Sequence, residues 1–169
     1  LLDGDVQGKL QGMSKQLKQV SIDTGAATSD LTDGLYQVVS AFGESAESVK
    51  QLEIAAKAAK AGNATTTDSV NMLSAVTKGY GDTSAAALQK ASDLAFLPVK
   101  LGQTSFPELA SSMGQVVPLA ATMKVSQEEL FGAMATLTGV TGGTAEVTTQ
   151  LRATMQEFLS PSSQMEKAL

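Results

Sequence analysis

The chain has 169 residues, a formal net charge of −5, and neither cysteine nor histidine. The length suits one domain with its own core, and the acidic balance argues against a nucleic-acid-binding face, which needs basic side chains. The two missing residue types exclude disulfides, zinc-finger sites and histidine as a general base. We therefore expect no specific nucleic-acid binding and no cofactor.

The first helical pattern covers residues 1–24. Its apolar residues follow the 4-3-4-3 spacing of a coiled-coil seam, and they are Val6, Leu10, Met13, Leu17 and Val20. We interpret this stripe as a candidate oligomer seam. With only about two heptads present, a single amphipathic helix that packs on its neighbour is an equal alternative. We place a domain boundary here, between the helix at 1–24 and a helical core domain at 25–169.

A longer repeat follows. Four segments open on threonine at intervals of 37, 39 and 40 residues, at Thr28, Thr65, Thr104 and Thr144. Each hydroxyl is expected to cap the first free amides of a helix. Apolar residues then recur three and four positions apart, which predicts one amphipathic helix per segment.

Partner helices are predicted between these segments, at 46–61, 84–97 and 126–139, with a last one opening at 160–169. Gly62 is expected to stop the first, and Pro98 to end or kink the second. Pro118 is a second candidate kink. No strand alternation is present, so the fold class is all-α. Stacked αα-hairpins are expected, as a short solenoid or an irregular bundle.

Two carboxylate pairs, Glu44/Glu47 and Glu128/Glu129, are candidates for acid–base chemistry. Both are predicted in first helical turns, where negative charge complements the helix dipole, so capping is the preferred interpretation. The Gly-rich tetrad at 79–82 is interpreted as a turn. No nucleophile elbow, phosphate loop or dinucleotide motif is present, and we expect no enzyme.

Several stretches in order resemble the core region of phage tail tape measure proteins, over about residues 26–169. They are QLEIAAKAAKAG at 51–62, LSAVTKGYG at 73–81, KASDLAF at 90–96, ELASSMGQVVPLAATMKVSQEELFGAMATLT at 108–138 and LRATMQEFLSPSSQMEKAL at 151–169. The long helical and apolar segments of that family are not in this sequence, which begins at Leu1, so we interpret the chain as a segment of a longer protein.

The resemblance implies a structural role. Tape measure proteins run inside the growing tail tube as extended helical oligomers, set its length, nucleate its assembly with distal tail proteins and leave ahead of the DNA. The implied partners are further copies of the chain, as a trimer or higher oligomer, and the tail tube and distal tail or baseplate proteins. The implied locations are the tail lumen and tip in the virion, and the host cytoplasm during assembly.

Two other functions stay open. A helical-repeat scaffold that binds a protein or peptide would need exposed aromatic or arginine anchors, and Arg152 is the only arginine. A membrane-active bundle would need a long apolar hairpin, but the apolar runs at 94–99 and 116–121 are short and contain Pro98 and Pro118. Membrane contact is therefore expected only through parts of the protein outside this sequence.

Overall fold

The computed structural model describes residues 3–162, with side chains from residue 12 onward. This part of the chain consists of helices joined by short turns, as the all-α prediction requires. The helices are α1 (Asp3–Thr24), α2 (Thr28–Phe42), α3 (Ser48–Gly62), α4 (Thr66–Gly79), α5 (Ala85–Leu101), α6 (Phe106–Thr122), α7 (Gln127–Thr141) and α8 (Thr144–Leu159). The predicted helix at 160–169 lies mostly outside the described residues.

The helices form two layers. Each helix contacts the helix two positions along the chain, so that α2, α4, α6 and α8 make one layer and α1, α3, α5 and α7 make the other. This order is that of stacked αα-hairpins in a short solenoid, in which each repeat packs on the next. The core runs between the layers and is filled by aliphatic residues, methionines and two phenylalanines, Phe106 and Phe131.

Small residues set the spacing within the first layer. A Cβ atom on Gly79 of α4 would lie 2.3 Å from Val117 Cγ1 of α6. A Cβ on Gly34 of α2 would lie 2.5 Å from Thr66 Cγ2 of α4. Neither contact is sterically allowed, so these helices approach each other as closely as they do because both positions are glycine.

One predicted helix boundary is wrong, and one of the two outcomes predicted for Pro98 does not occur. Gly62 does not stop α3 but is its last helical residue, and its missing side chain makes room for Phe106, which a Cβ would approach to 2.5 Å. Asn63 ends the helix instead, in a left-handed conformation with φ 52°. Pro98 does not end α5, which continues to Leu101.

The threonines that begin the four repeated segments cap fewer helices than predicted. Thr65 caps α4 by accepting a hydrogen bond from the Asp68 N–H, which confirms one prediction. Ser105, not Thr104, caps α6. Thr28 and Thr144 are already the first helical residues of α2 and α8, and neither helix has a side-chain cap. From that position the hydroxyl of Thr144 faces the neighbouring helix α6 rather than its own free amides.

Candidate functional site

Several carboxylates of the described chain lie at helix N-termini. Glu129 and Ser126 form a reciprocal capping box at the start of α7, where Glu129 accepts hydrogen bonds from the Ser126 N–H and hydroxyl, both at 2.8 Å. The Ser126 backbone bond lowers the pKa of Glu129. Glu128 pairs with Lys90 Nζ of α5 at 2.7 Å, and this bond lowers its pKa. Two carboxyls held in the charged form do not provide the separated acid and base that catalysis needs.

The other predicted pair does not lie in a helical turn. α3 begins at Ser48, so Glu44 lies in the preceding loop and Glu47 is the residue before the helix. The Glu47 side chain reaches the next repeat, where its Oε2 accepts the Ala85 N–H at the start of α5 (3.1 Å). Glu47 therefore supplies a cap, but to α5 instead of to its own helix.

The same contact recurs in the other layer. Asp30 in the first turn of α2 accepts hydrogen bonds from the hydroxyl of Thr66 and, at 3.3 Å, from its N–H at the start of α4. Glu108 in the first turn of α6 accepts the hydroxyl of Thr144 at the start of α8 (3.2 Å). A carboxylate in one repeat thus binds the N-terminus of the next helix in its layer. We call these the inter-repeat carboxylate contacts.

The Gly-rich tetrad forms the predicted turn between α4 and α5. Gly81 has φ +78°, which favours glycine, and Asp82 Oδ1 accepts the Ser84 N–H at 2.9 Å. The hydroxyl of Tyr80 is enclosed without a hydrogen-bond partner among the described residues. Burial raises the pKa of Tyr80, and the nearby carboxylates Glu128 and Glu129 raise it further. The tetrad is a structural turn between two repeats.

Part of the candidate oligomer seam is buried against the core of the same chain. The side chains of Val6 and Leu10 lie outside the described residues. Val20 is buried, with 5% of its surface exposed, and Leu17 packs against the same core. Met13 is half-buried beside a groove of about 670 Å³ between α1 and the start of α3. That this stripe also joins copies of the chain stays a prediction. The domain boundary after residue 24 stays a prediction too, although Val20 belongs to the common core.

Both candidate kinks lie inside helices. Pro98 is buried in α5 and Pro118 is exposed in α6. Each proline removes one helical N–H, which leaves one carbonyl of the preceding turn without its usual donor. The carbonyl oxygens of both prolines accept hydrogen bonds: that of Pro98 from the Gly102 N–H and that of Pro118 from the Thr122 hydroxyl, both at 2.8 Å. A bend at either position stays a prediction.

Large exposed apolar side chains lie mostly on the first two and last two helices. Among the described residues they are Ile22, Tyr36, Leu101, Val140, Phe158 and Leu159.

No group of three or more acidic side chains in the described part is arranged to hold a metal ion. No described helix is both long and apolar enough to cross a membrane.

Sequence comparison gives a family for this fold. A family model described as phage-related minor tail protein matches residues 14–169, which includes the second half of α1 and every later helix. No curated protein and no solved structure matches the chain. Since the match covers most of the sequence, the chain belongs to the phage-related minor tail protein family, and its role in the phage tail is structural.

Proposed function

We propose that this chain is the core region of a tape measure protein. Such a protein lies in the tail tube, sets the length of the tube, nucleates its polymerisation with distal tail proteins, and leaves during DNA ejection. The observation that carries the proposal is the family match over residues 14–169, on a stack of small-residue helical repeats. The order of the stretches that resemble tape measure proteins supports the same assignment.

The partners proposed are further copies of the chain, the tail tube and the distal tail or baseplate proteins. Met13, half-buried beside the groove along α1, is the described seam residue best placed to contact a second copy. Val20 is already covered by the core. A scaffold with a concave binding face receives less support, because five of the six large exposed apolar side chains lie on the terminal helices α1, α2, α7 and α8.

The test is to change the length of the repeat array in the phage that encodes the chain. Duplication of residues 65–103 adds one αα-hairpin of 39 residues. If the region lies extended as helix along the tube, the tail grows by about 58 Å, at roughly 1.5 Å per residue. A change of about 10 Å or less, the spacing of one packed helix, would contradict length setting by this region. Electron microscopy of virions measures the difference.

A second measurement addresses release from the tube. Passage through a narrow lumen requires repeats that separate at low cost, and helices rich in small residues bury little apolar area each. We expect single-molecule stretching to show stepwise opening, one hairpin at a time. One cooperative rupture of the whole domain at high force would contradict this part of the proposal.

A further inference from the structure

One position in the last turn of each second-layer helix is apolar and exposed. The buried core residues Ala55, Ala95 and Met134 occupy the same place in α3, α5 and α7, at intervals of 40 and 39 residues. Six residues after each of them lies an exposed apolar side chain, and another lies 39 positions earlier in α1. These residues are Ile22, Ala61, Leu101 and Val140. We call them the edge row.

The exposure of the edge row does not depend on a missing neighbour. Leu101 is 64% exposed, although α5 lies between α3 and α7 in its layer. Ala61 is exposed in the same way, and α3 lies between α1 and α5. The row lies on the edge of the solenoid where the second-layer helices end and the chain turns into the first layer. Packing of one repeat on the next leaves that edge open.

Close contacts hold the helix ends of the edge row side by side. A Cβ on Gly139 would lie 3.6 Å from the carbonyl oxygen of Leu101, so the ends of α7 and α5 touch. Gly62, at the end of α3, makes room for Phe106, which follows the turn after α5. Neighbouring members of the row therefore lie about one helix spacing apart, roughly 8–10 Å.

Two lysines lie beside the middle of the edge row. Lys60 and Lys100 directly precede Ala61 and Leu101 in the sequence. Both are exposed, and neither forms an ion pair with another residue of the part that the structure describes. The nearest acid along α1, Asp23, accepts a hydrogen bond from the Gln19 amide at 2.8 Å. An apolar row with two positive charges at its centre is therefore open to solvent.

The spacing of the edge row fits a helical partner. Residues seven apart in an α-helix lie on nearly the same face and about 10.5 Å apart along the axis, close to the step between neighbouring helices. In an extended strand, about 10 Å corresponds to three residues, whose side chains alternate between opposite faces. A helix with an apolar residue at every seventh position can therefore contact successive repeats, whereas a strand cannot.

We propose that the edge row docks an acidic amphipathic helix of another protein. Apolar residues seven positions apart in that helix pack on the four members of the row. Acidic side chains beside them pair with Lys60 and Lys100, because these two ammonium groups flank the contact. The inference is independent of the tape measure role, since the repeat geometry and the charge of the edge carry it.

The competing interpretation leaves the edge row in water. Lysines in a last helical turn complement the helix dipole without any partner, and single apolar side chains are common on protein surfaces. This interpretation predicts no preference for the spacing or the charge of an added helix.

A designed peptide distinguishes the two. The probe is a labelled, alanine-based helix of about 22 residues with leucine at every seventh position and glutamate beside each leucine. One control peptide has the same composition with the leucines out of register, and a second has lysine in place of glutamate. We expect the probe to bind the purified 169-residue chain with a Kd on the order of 10–100 µM, as for a small interface. Both controls should bind at least ~10-fold more weakly. Fluorescence anisotropy measures all three.

A substitution at Leu101 locates the apolar contact on the chain. Leu101→Ser should weaken binding of the probe at least ~10-fold, because it removes a leucine side chain that the helix covers. Tyr36→Ser is the matched control, since Tyr36 is 72% exposed but lies in the middle of α2 in the other layer. Its affinity should stay within about 2-fold of the native value.

A charge reversal locates the basic contact. Lys60→Glu combined with Lys100→Glu should weaken binding at least ~5-fold at low salt, because like charges then face each other. Lys15→Glu combined with Lys124→Glu gives the same net charge at exposed positions away from the row, and it should leave the affinity unchanged. Circular dichroism of each variant verifies that its helices are intact.

Three outcomes overturn the proposal. The first is a probe that binds no more tightly than either control peptide. The second is undiminished binding by the Leu101→Ser variant. The third is sedimentation of the chain with phosphatidylglycerol vesicles when the probe does not bind, which would assign the edge row to an anionic lipid surface.

Discussion

The hydroxyl of Thr144 donates to Glu108 Oε2 across 3.2 Å and joins the starts of two neighbouring helices, α6 and α8. The same carboxylate oxygen accepts the N–H of Ser105 at 3.0 Å and so completes the capping box of α6. Thr144 is buried, and its hydroxyl also lies 2.5 Å from that of Thr104. One side chain therefore caps one helix and sets the position of the next, which makes Glu108 a link between repeats.

Replacing Glu108 by alanine should lower the free energy of unfolding by about 1–2 kcal/mol, because it removes half of a capping box and one acceptor of a buried hydroxyl. Glu146→Ala is the matched control, since Glu146 has the same helical position but no following helix in the described chain. Its effect should stay within about 0.5 kcal/mol. Urea unfolding at low protein concentration measures both, and equal losses would contradict the link.

Acid should destabilise the fold through the capping carboxylates. The pKa of Glu108 is lowered from 4.5 mainly by the Ser105 backbone bond, and that of Glu129 by the Ser126 backbone bond. A lowered folded-state pKa contributes stability that is present above the unfolded value of 4.5 and is lost as the pH falls through the folded value.

The measurement is urea unfolding at steps between about pH 7 and pH 3. The free energy of unfolding should be flat above about pH 5.5 and fall below about 4.5. A Glu108→Gln/Glu129→Gln variant has no proton to bind at these two positions and should show a shallower fall. A variant with the native slope would indicate that other carboxylates carry the acid sensitivity.

Gly79→Ala should destabilise the chain by about 1–3 kcal/mol, the usual cost of overpacking, because the new methyl group meets Val117 of α6. Gly114→Ala is the control, since a Cβ at Gly114 has nothing within 4 Å. That substitution should stabilise α6 by about 0.5–1 kcal/mol. Val117→Ala alone should also destabilise, since Val117 is fully buried, but the loss in the double variant should be smaller than the sum of the two single losses. Additive losses would place the strain elsewhere.

Val20→Ala tests whether α1 lies on the core in solution. Val20 is 5% exposed, so the loss of two buried methyl groups should cost about 1–2.5 kcal/mol. Ile22→Ala, at a position 75% exposed, should cost about 0.5 kcal/mol or less. Thermal unfolding measures the pair. If the two substitutions have the same small effect, α1 does not pack on α3 as the structure shows.

Pro118→Ala tests the candidate kink in α6. Pro118 is exposed, so alanine restores a helical N–H without removing core contacts. We expect a gain in stability of about 1 kcal/mol or more, reduced by the greater freedom of the unfolded chain. Pro98→Ala should gain less, because Pro98 is buried against the core. A loss of stability in the Pro118 variant would show that the proline fits an undistorted helix.

The sequence alone determined where the helices form, because apolar spacing and residues at helix starts are patterns among residues close together in the sequence. The spacing of apolar residues predicted the helices, and the negative charges of Glu128 and Glu129 correctly predicted the first turn of α7. The 37–40-residue interval of the threonine openings predicted repeated helix pairs. The same signals failed at Gly62, since a glycine that ends a helix and one that admits Phe106 look alike in sequence.

Only the tertiary structure decided what these helices meet. From its place in the first turn of α2, Asp30 is expected only to interact with the dipole of its own helix. Its hydrogen bond to Thr66, 36 positions away, cannot be predicted from the residues that surround either one in the sequence. The apolar stripe of α1 fits a partner chain or α3 equally well by spacing, and the burial of Val20 on the core shows which contact forms within the chain. Periodicity states which face of a helix is apolar; the identity of the neighbour depends on packing between residues distant in sequence.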